Sequence, residues 1–117
     1  MTEMTVSEQV AHTLEHDPGR LRKLRRDNVA AHLAMSESQM CRELRKEGTS
    51  YKEILKSVRV KRLNFLIKEF EGFHLDGFTL GVVNLGYLSE GSFYRAFQGW
   101  TGMTWREYKR DHYGEAL

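Results

Sequence analysis

The chain carries one cysteine and one proline in 117 residues, and each scarcity excludes something. A lone Cys41 cannot close an internal disulfide, so the fold must stand on its core, and a reducing cytoplasm is the expected compartment. Pro18 is the only proline, β-branched runs are few and period-2 alternation is absent, so the expected fold class is all-α. No apolar run approaches the roughly 18–20 residues of a membrane span, and no secretory leader is recognisable; no membrane role is expected. Glycine-rich phosphate loops, nucleophile elbows and HExxH patterns are also missing, so neither an enzyme nor a cofactor is expected. His12 and His16 have a spacing that can hold a metal on a helix, but no third ligand stands at a matching distance. They read as an exposed helix pair, with no metal site.

What is present is an uneven charge. The net value is only +2, yet residues 1–19 hold four acids and no Lys or Arg, giving −4. Residues 20–62 hold 13 basic and five acidic residues, giving +8, and residues 63–117 hold five basic and seven acidic, giving −2. A basic middle between acidic ends suits a phosphate-facing stripe. On its own a solvated helical face explains it as well.

A repeat decides between the two. Ala30, Ala34, Met35, Ser36, Met40, Arg42 and Leu44 are answered by Val82, Gly86, Tyr87, Ser89, Phe93, Arg95 and Phe97. The offset is 52 through Ala34/Gly86 and Met35/Tyr87, and 53 from Ser36/Ser89 onward. Each copy is a short helix, a small residue at a tight bend, a Ser and a second helix with an outward arginine. That is the layout of a helix-turn-helix, whose second helix enters the major groove of DNA.

Capping boxes at Thr5–Glu8, Ser36–Gln39, Ser50–Glu53 and Thr104–Glu107 mark helix starts, with Asp27 and Ser89 as further caps. Glycines 48, 72, 86 and 102 mark helix ends. About seven helices result, near 6–16, 28–34, 37–47, 51–71, 78–85, 90–100 and 105–112. Residues 1–50 form a first helix-turn-helix subdomain, 51–71 a long linker helix and 72–117 a second subdomain. The basic stretch 19–25 reads as loop or as an extra helical turn. Phe93, Ala96, Phe97 and Trp100 form a core stripe at i, i+3, i+4 and i+7, opposite Gly91, Arg95 and Gln98. On the earlier second helix, Met40 and Leu44 face in while Ser38, Arg42 and Arg45 face out.

These residues resemble the DNA-binding domain of AraC/XylS-type bacterial transcription regulators over roughly 6–112. The matching strings are Val29-Ala30-Ala31-His32-Leu33-Ala34-Met35-Ser36 with Met40, Arg42, Leu44 and Gly48-Thr49-Ser50-Tyr51, then Val58-Arg59 with Leu66. The second motif matches through Gly86-Tyr87, Ser89, Phe93, Arg95-Ala96-Phe97, Trp100-Thr101-Gly102-Met103-Thr104 and Glu107-Tyr108. The resemblance implies two helix-turn-helix units on a long helix, regulating transcription and often activating it through RNA polymerase. It puts base-reading positions on Ser38, Gln39, Cys41 and Arg42, and on Glu90, Gly91, Tyr94 and Arg95, with Gln98 on the same outer face. Gln39 reads a base edge unless its capping box occupies it. Arg42 and Arg95 suit guanine or phosphate, because a guanidinium bridges two acceptors. Arg45, Lys46 and Arg59 are expected to position the phosphate backbone.

Departures from the family pattern fall in the second half. Gly81-Val82 replaces an Ile-Ala pair, Leu88 a small polar residue, Trp105 a proline and Lys109 an arginine. Glycine inside a helix costs about 1 kcal/mol against alanine, and Glu90 repels phosphate. The first motif is therefore expected to dominate binding. With two motifs in one chain, a monomer is expected unless a further domain is missing. The chain is a stand-alone regulator or a piece of a longer one. The rival reading is a protein-interaction adaptor on a helix-turn-helix scaffold that binds DNA weakly, if at all.

Overall fold

The computed structural model describes residues 4–16, 25–70 and 76–112, so most of the basic stretch 19–25, and Gly72, lie outside the described residues. Among the described residues seven helices succeed one another: α1 (Val6–His16), α2 (Arg26–His32), α3 (Glu37–Lys46), α4 (Tyr51–Phe70), α5 (Phe78–Asn84), α6 (Glu90–Thr101) and α7 (Trp105–His112). The described residues include no strand. The all-α expectation holds, and none of these helices is long and apolar enough to cross a membrane.

Side-chain caps set most of the starts. Ser36 accepts from the Gln39 N–H at 3.0 Å, Ser50 from Glu53 at 3.2 Å and Ser89 from Ser92 at 3.1 Å. Thr104 and Glu107 close a reciprocal box, with Glu107 N donating to Thr104 Oγ1 at 3.1 Å and Thr104 N to Glu107 Oε1 at 3.2 Å. Asp27 is a correction. The residue before α2 is Arg25, without a side-chain cap, and Asp27 sits inside the first turn accepting from Asn28 N at 3.0 Å. A carboxylate there still complements the helix dipole. Asp76, not anticipated, caps α5 by accepting from Thr79 N at 2.6 Å.

Two cores share α4. The first is aliphatic: Val10, Leu14, Val29, Ala30, Met40 and Leu44 close on Ile54 and Val58. The second is largely aromatic: Phe93, Phe97 and Trp105 pack with Leu80 and Leu85 on Leu63 and Leu66. At about 100° per residue, the pair Ile54/Val58 points about 130° away from Leu63/Leu66, so each half of α4 is amphipathic toward a different partner. In the second core Phe97 meets Trp105 edge-on at 5.1 Å and Tyr108 at 5.1 Å. Trp105 thus fills core at the position where the family pattern has proline, and the Thr104–Glu107 box opens α7 in its place. Ser7 donates from its N–H and hydroxyl to the Glu47 carboxylate, the latter at 2.6 Å, and Lys61 meets Glu15 at 3.3 Å. These contacts tie α1 to the end of α3 and to α4.

The first half of the second motif departs most from expectation. Its seven-residue helix α5 is a π-helix, in which Leu85 N donates to Leu80 O at 3.2 Å, five residues back. The wider turn takes up one extra residue. Met35 N donates to Ala30 O at 3.0 Å, and the matching bond in the second motif runs from Tyr87 N to Gly81 O at 3.0 Å. Gly81, rather than Val82, is therefore the counterpart of Ala30. The offset grows from 51 at that pair to 52 at Ala34/Gly86 and 53 at Ser36/Ser89. Ala34 and Gly86 share the left-handed bend, at φ 59° and 82°. A Cβ on Gly81 would lie 2.5 Å from Phe93 Cβ and Cγ, so the glycine lets α5 approach α6 closely. The apparent weakness of Gly81 is a packing requirement.

Two predictions follow from these local arrangements. Gly81→Ala overpacks the second core and should cost about 1–3 kcal/mol, whereas Gly99→Ala in α6, with open space around it, should gain up to about 1 kcal/mol; urea unfolding of the two variants separates them by sign. Hydrogen bonds hold three carboxyls below the usual range: Glu47 through the Ser7 hydroxyl, Asp76 through the Thr79 N–H and Glu107 through the Thr104 hydroxyl. Each folded value lies below the unfolded one, so their contribution is complete above the ordinary carboxylate range and is lost as pH falls through and below about 4. Urea midpoints should drop over that interval, and Glu107→Gln should make the drop shallower.

Candidate nucleic-acid interface

The outer face of α3 is polar and basic because its inner face, Met40 and Leu44, is wholly buried. Ser38, Gln39, Arg42, Arg45 and Lys46 are exposed, and Cys41 is half-buried between them. Among the described residues Arg42 and Arg45 make no hydrogen bond or ion pair. Lys46 reaches Glu43 at 3.4 Å, an exposed contact of small worth. Ser36 caps by accepting from the Gln39 backbone N–H, and among the described residues the Gln39 side chain makes no return bond to Ser36. Arg26, not anticipated, joins the flank of α3: its Nε meets Glu37 Oε1 at 2.6 Å, and both line a concavity with Ser38, Cys41, Arg42 and Arg45. Its place in the basic middle segment, 20–62, was visible, but its position depended on the true start of α2.

On α6 the exposed face is sparser. Glu90, Arg95 and Gln98 are exposed, and Gly91 lies under the Arg95 guanidinium. Arg95 reaches Ser92 Oγ at 3.5 Å, which leaves most of its donors open. Tyr94 takes a different course. Its phenol folds back over Gly77 at the start of α5, and its ring lies 5.5 Å from that of Phe93. Glycine at 77 makes room for that hydroxyl, so Tyr94 packs α6 onto the start of α5 while staying 37% exposed.

Arg59 departs most from its expected role. Its Nε donates to Leu85 O at 2.8 Å and one Nη to Gly86 O at 3.1 Å, while the guanidinium lies 4.0 Å over the Tyr87 ring. Arg62, one turn on and not anticipated, donates from Nε to Asn84 O at 3.1 Å. Burial pulls both guanidiniums below the usual arginine range, against the pull of Tyr87 on Arg59. Both arginines therefore face inward, onto the carbonyl end of α5. The i, i+3 spacing of two arginines on one helix was the available signal; the acceptors, being backbone, leave none in a sequence.

His12 and His16 are exposed and stacked, ring centroids 3.8 Å apart, and no group of three metal-binding side chains occurs among the described residues.

The arrangement is matched in known proteins. A family profile described as a helix-turn-helix domain covers residues 29–111. The chain belongs to the AraC-type helix-turn-helix family. Within that family it is 35% identical over 83 residues to the HTH-type transcriptional regulator GadX of Escherichia coli K12, and 36% identical to GadX of the O6:H1 strain CFT073. Each alignment takes in 69% of this chain but 28% of the relative, so the chain spans under a third of the length of these regulators. A crystal structure of a DNA-binding transcriptional dual regulator from E. coli K-12 superposes with a TM-score of 0.75 over 95% of both chains at 24% identity, which shows a shared fold. The relatives bear the names of transcription regulators, not enzymes. For this AraC-type chain, Arg59→Met should cost about 2 kcal/mol or more by stranding two carbonyls, visible as a lower melting temperature without DNA present. A residue that served only phosphate would leave that temperature unchanged.

Proposed function

We propose that the chain binds double-stranded DNA sequence-specifically as the reading domain of a transcription regulator, with α3 and α6 entering successive major-groove segments. One observation carries this reading: Arg42 and Arg45 stand exposed on the second helix of a helix-turn-helix with no hydrogen bond or ion pair among the described residues, while Arg59 and Arg62 of α4 are engaged inside the fold. An adaptor has no need of such a pair. Successive major-groove faces lie about 34–36 Å apart, and the 48 Å long axis of the molecule is sufficient for one chain to reach both.

In this reading Ser38, Gln39, Cys41 and Arg42 meet base edges, and Arg45 and Lys46 meet phosphates. On α6, Glu90 suits a cytosine amino group, Gly91 allows close approach, Arg95 takes guanine or phosphate, and Gln98 contacts the backbone. Arg59 and Tyr94 act as positioning residues that hold α6. The chain works as a monomer in the cytoplasm and supports activation through contact with RNA polymerase.

Selection from a random duplex pool at several salt concentrations tests the reading. An enriched asymmetric site whose affinity falls steeply with salt supports it. No retention at low salt overturns it in favour of a protein-interaction adaptor. Within a selected site, R42E should cost about 1–3 kcal/mol of binding and more than R95E, since residues 63–117 are net −2; equal or reversed losses at fixed salt would refute the dominance of the first motif.

A further inference from the structure

The turn of the second motif is one residue longer than that of the first, and the added residue is a leucine. Ala34-Met35-Ser36 corresponds to Gly86-Tyr87-Leu88-Ser89. The bend residues match in φ, Met35 and Tyr87 both donate back to the preceding helix and pack on their cores, and Ser36 and Ser89 both cap. Leu88 alone has no counterpart. It is also 79% exposed, the most exposed large apolar side chain among the described residues.

No contact among the described residues accounts for it. A leucine just before a helix cap ordinarily packs on the fourth helical residue as a hydrophobic staple, which here is Phe93. Phe93 is fully buried, and its neighbour from the turn is Tyr87, at 6.0 Å between ring centroids. The staple position is thus taken, and Leu88 projects from the leading end of α6 beside Glu90 and Gly91. That end of a recognition helix contacts base edges. The apolar group on the major-groove edge is the thymine 5-methyl.

We infer that Leu88 is a specificity residue of the second motif, packing on the methyl group of a thymine ahead of α6. The inference rests on the reading that α6 enters a major groove. It also accounts for how a helix face with one arginine offset by one glutamate gains discrimination: by apolar contact as well as charge.

The test uses the full chain and the duplex selected above, replacing each thymine under α6 singly by deoxyuridine, which removes only the methyl. One position should weaken binding about fourfold, the worth of one methyl taken out of water. Leu88→Ser should lose about as much on the unmodified duplex and nothing further on that deoxyuridine duplex, with its melting temperature unchanged. If specific binding persists but the wild-type chain and Leu88→Ser respond alike to every replacement, the inference fails while the DNA-binding reading stands. If no site is selected at all, both fall.

Discussion

A short helix that ends in the interior leaves carbonyls without partners and gathers negative partial charge at its last turn. In this chain α5 is seven residues long and wound as a π-helix, so it has little stability of its own. Arg59 and Arg62 of α4 supply the missing donors to Asn84, Leu85 and Gly86, three successive carbonyls. Taking a guanidinium out of water is costly unless its donors are used and its charge is answered. Both conditions are met, since the carbonyl end of α5 and the Tyr87 ring face the cation. Tyr87 in turn touches Phe93 and Trp100, so the grip passes directly to α6. The position of the second recognition helix therefore depends on two linker arginines as much as on the aromatic core beneath it.

The two motifs solve one packing problem with different materials. In the first, small Ala30 and aliphatic Val29, Met40 and Leu44 bring α2 onto α3, and Ala34 accepts a left-handed bend that alanine adopts only at a cost. In the second, Phe93 replaces Met40, and the larger ring leaves no room for a Cβ on the facing helix. Gly81 follows from that ring. Local glycine cost and irregular winding are offset by burial of Phe93 and Phe97 and their edge-on contacts with Trp105.

Much of this was legible from the residues. Caps, apolar spacing and the repeat placed seven helices within two residues of their observed bounds, and the core stripe Phe93/Phe97 is buried as its spacing required. The outward face of α3 followed for the same reason, by exclusion from the core. What could not be read depended on contacts between distant segments. Arg59 is indistinguishable in sequence from a phosphate-binding arginine because its acceptors are backbone carbonyls. Tyr94 entered the reading face through the family resemblance, and no local pattern told that its hydroxyl would lie over Gly77. The extra residue of α5 was hidden because Val82, one position on from Gly81, is also apolar and buried, so the repeat could be aligned through either.

Turns and windings in this molecule have absorbed added residues twice, once inside α5 and once at Leu88, without loss of the second core. The shared helix has no such freedom. Because Ile54 and Val58 serve one core and Leu63 and Leu66 the other, a single residue inserted between them would turn one module against the other by about 100° and advance it by about 1.5 Å. Both modules could remain folded after such a change, yet their outer faces would no longer share a phase. Among descendants of this chain, insertions and deletions are expected to accumulate in the turns and to be absent from the middle of α4.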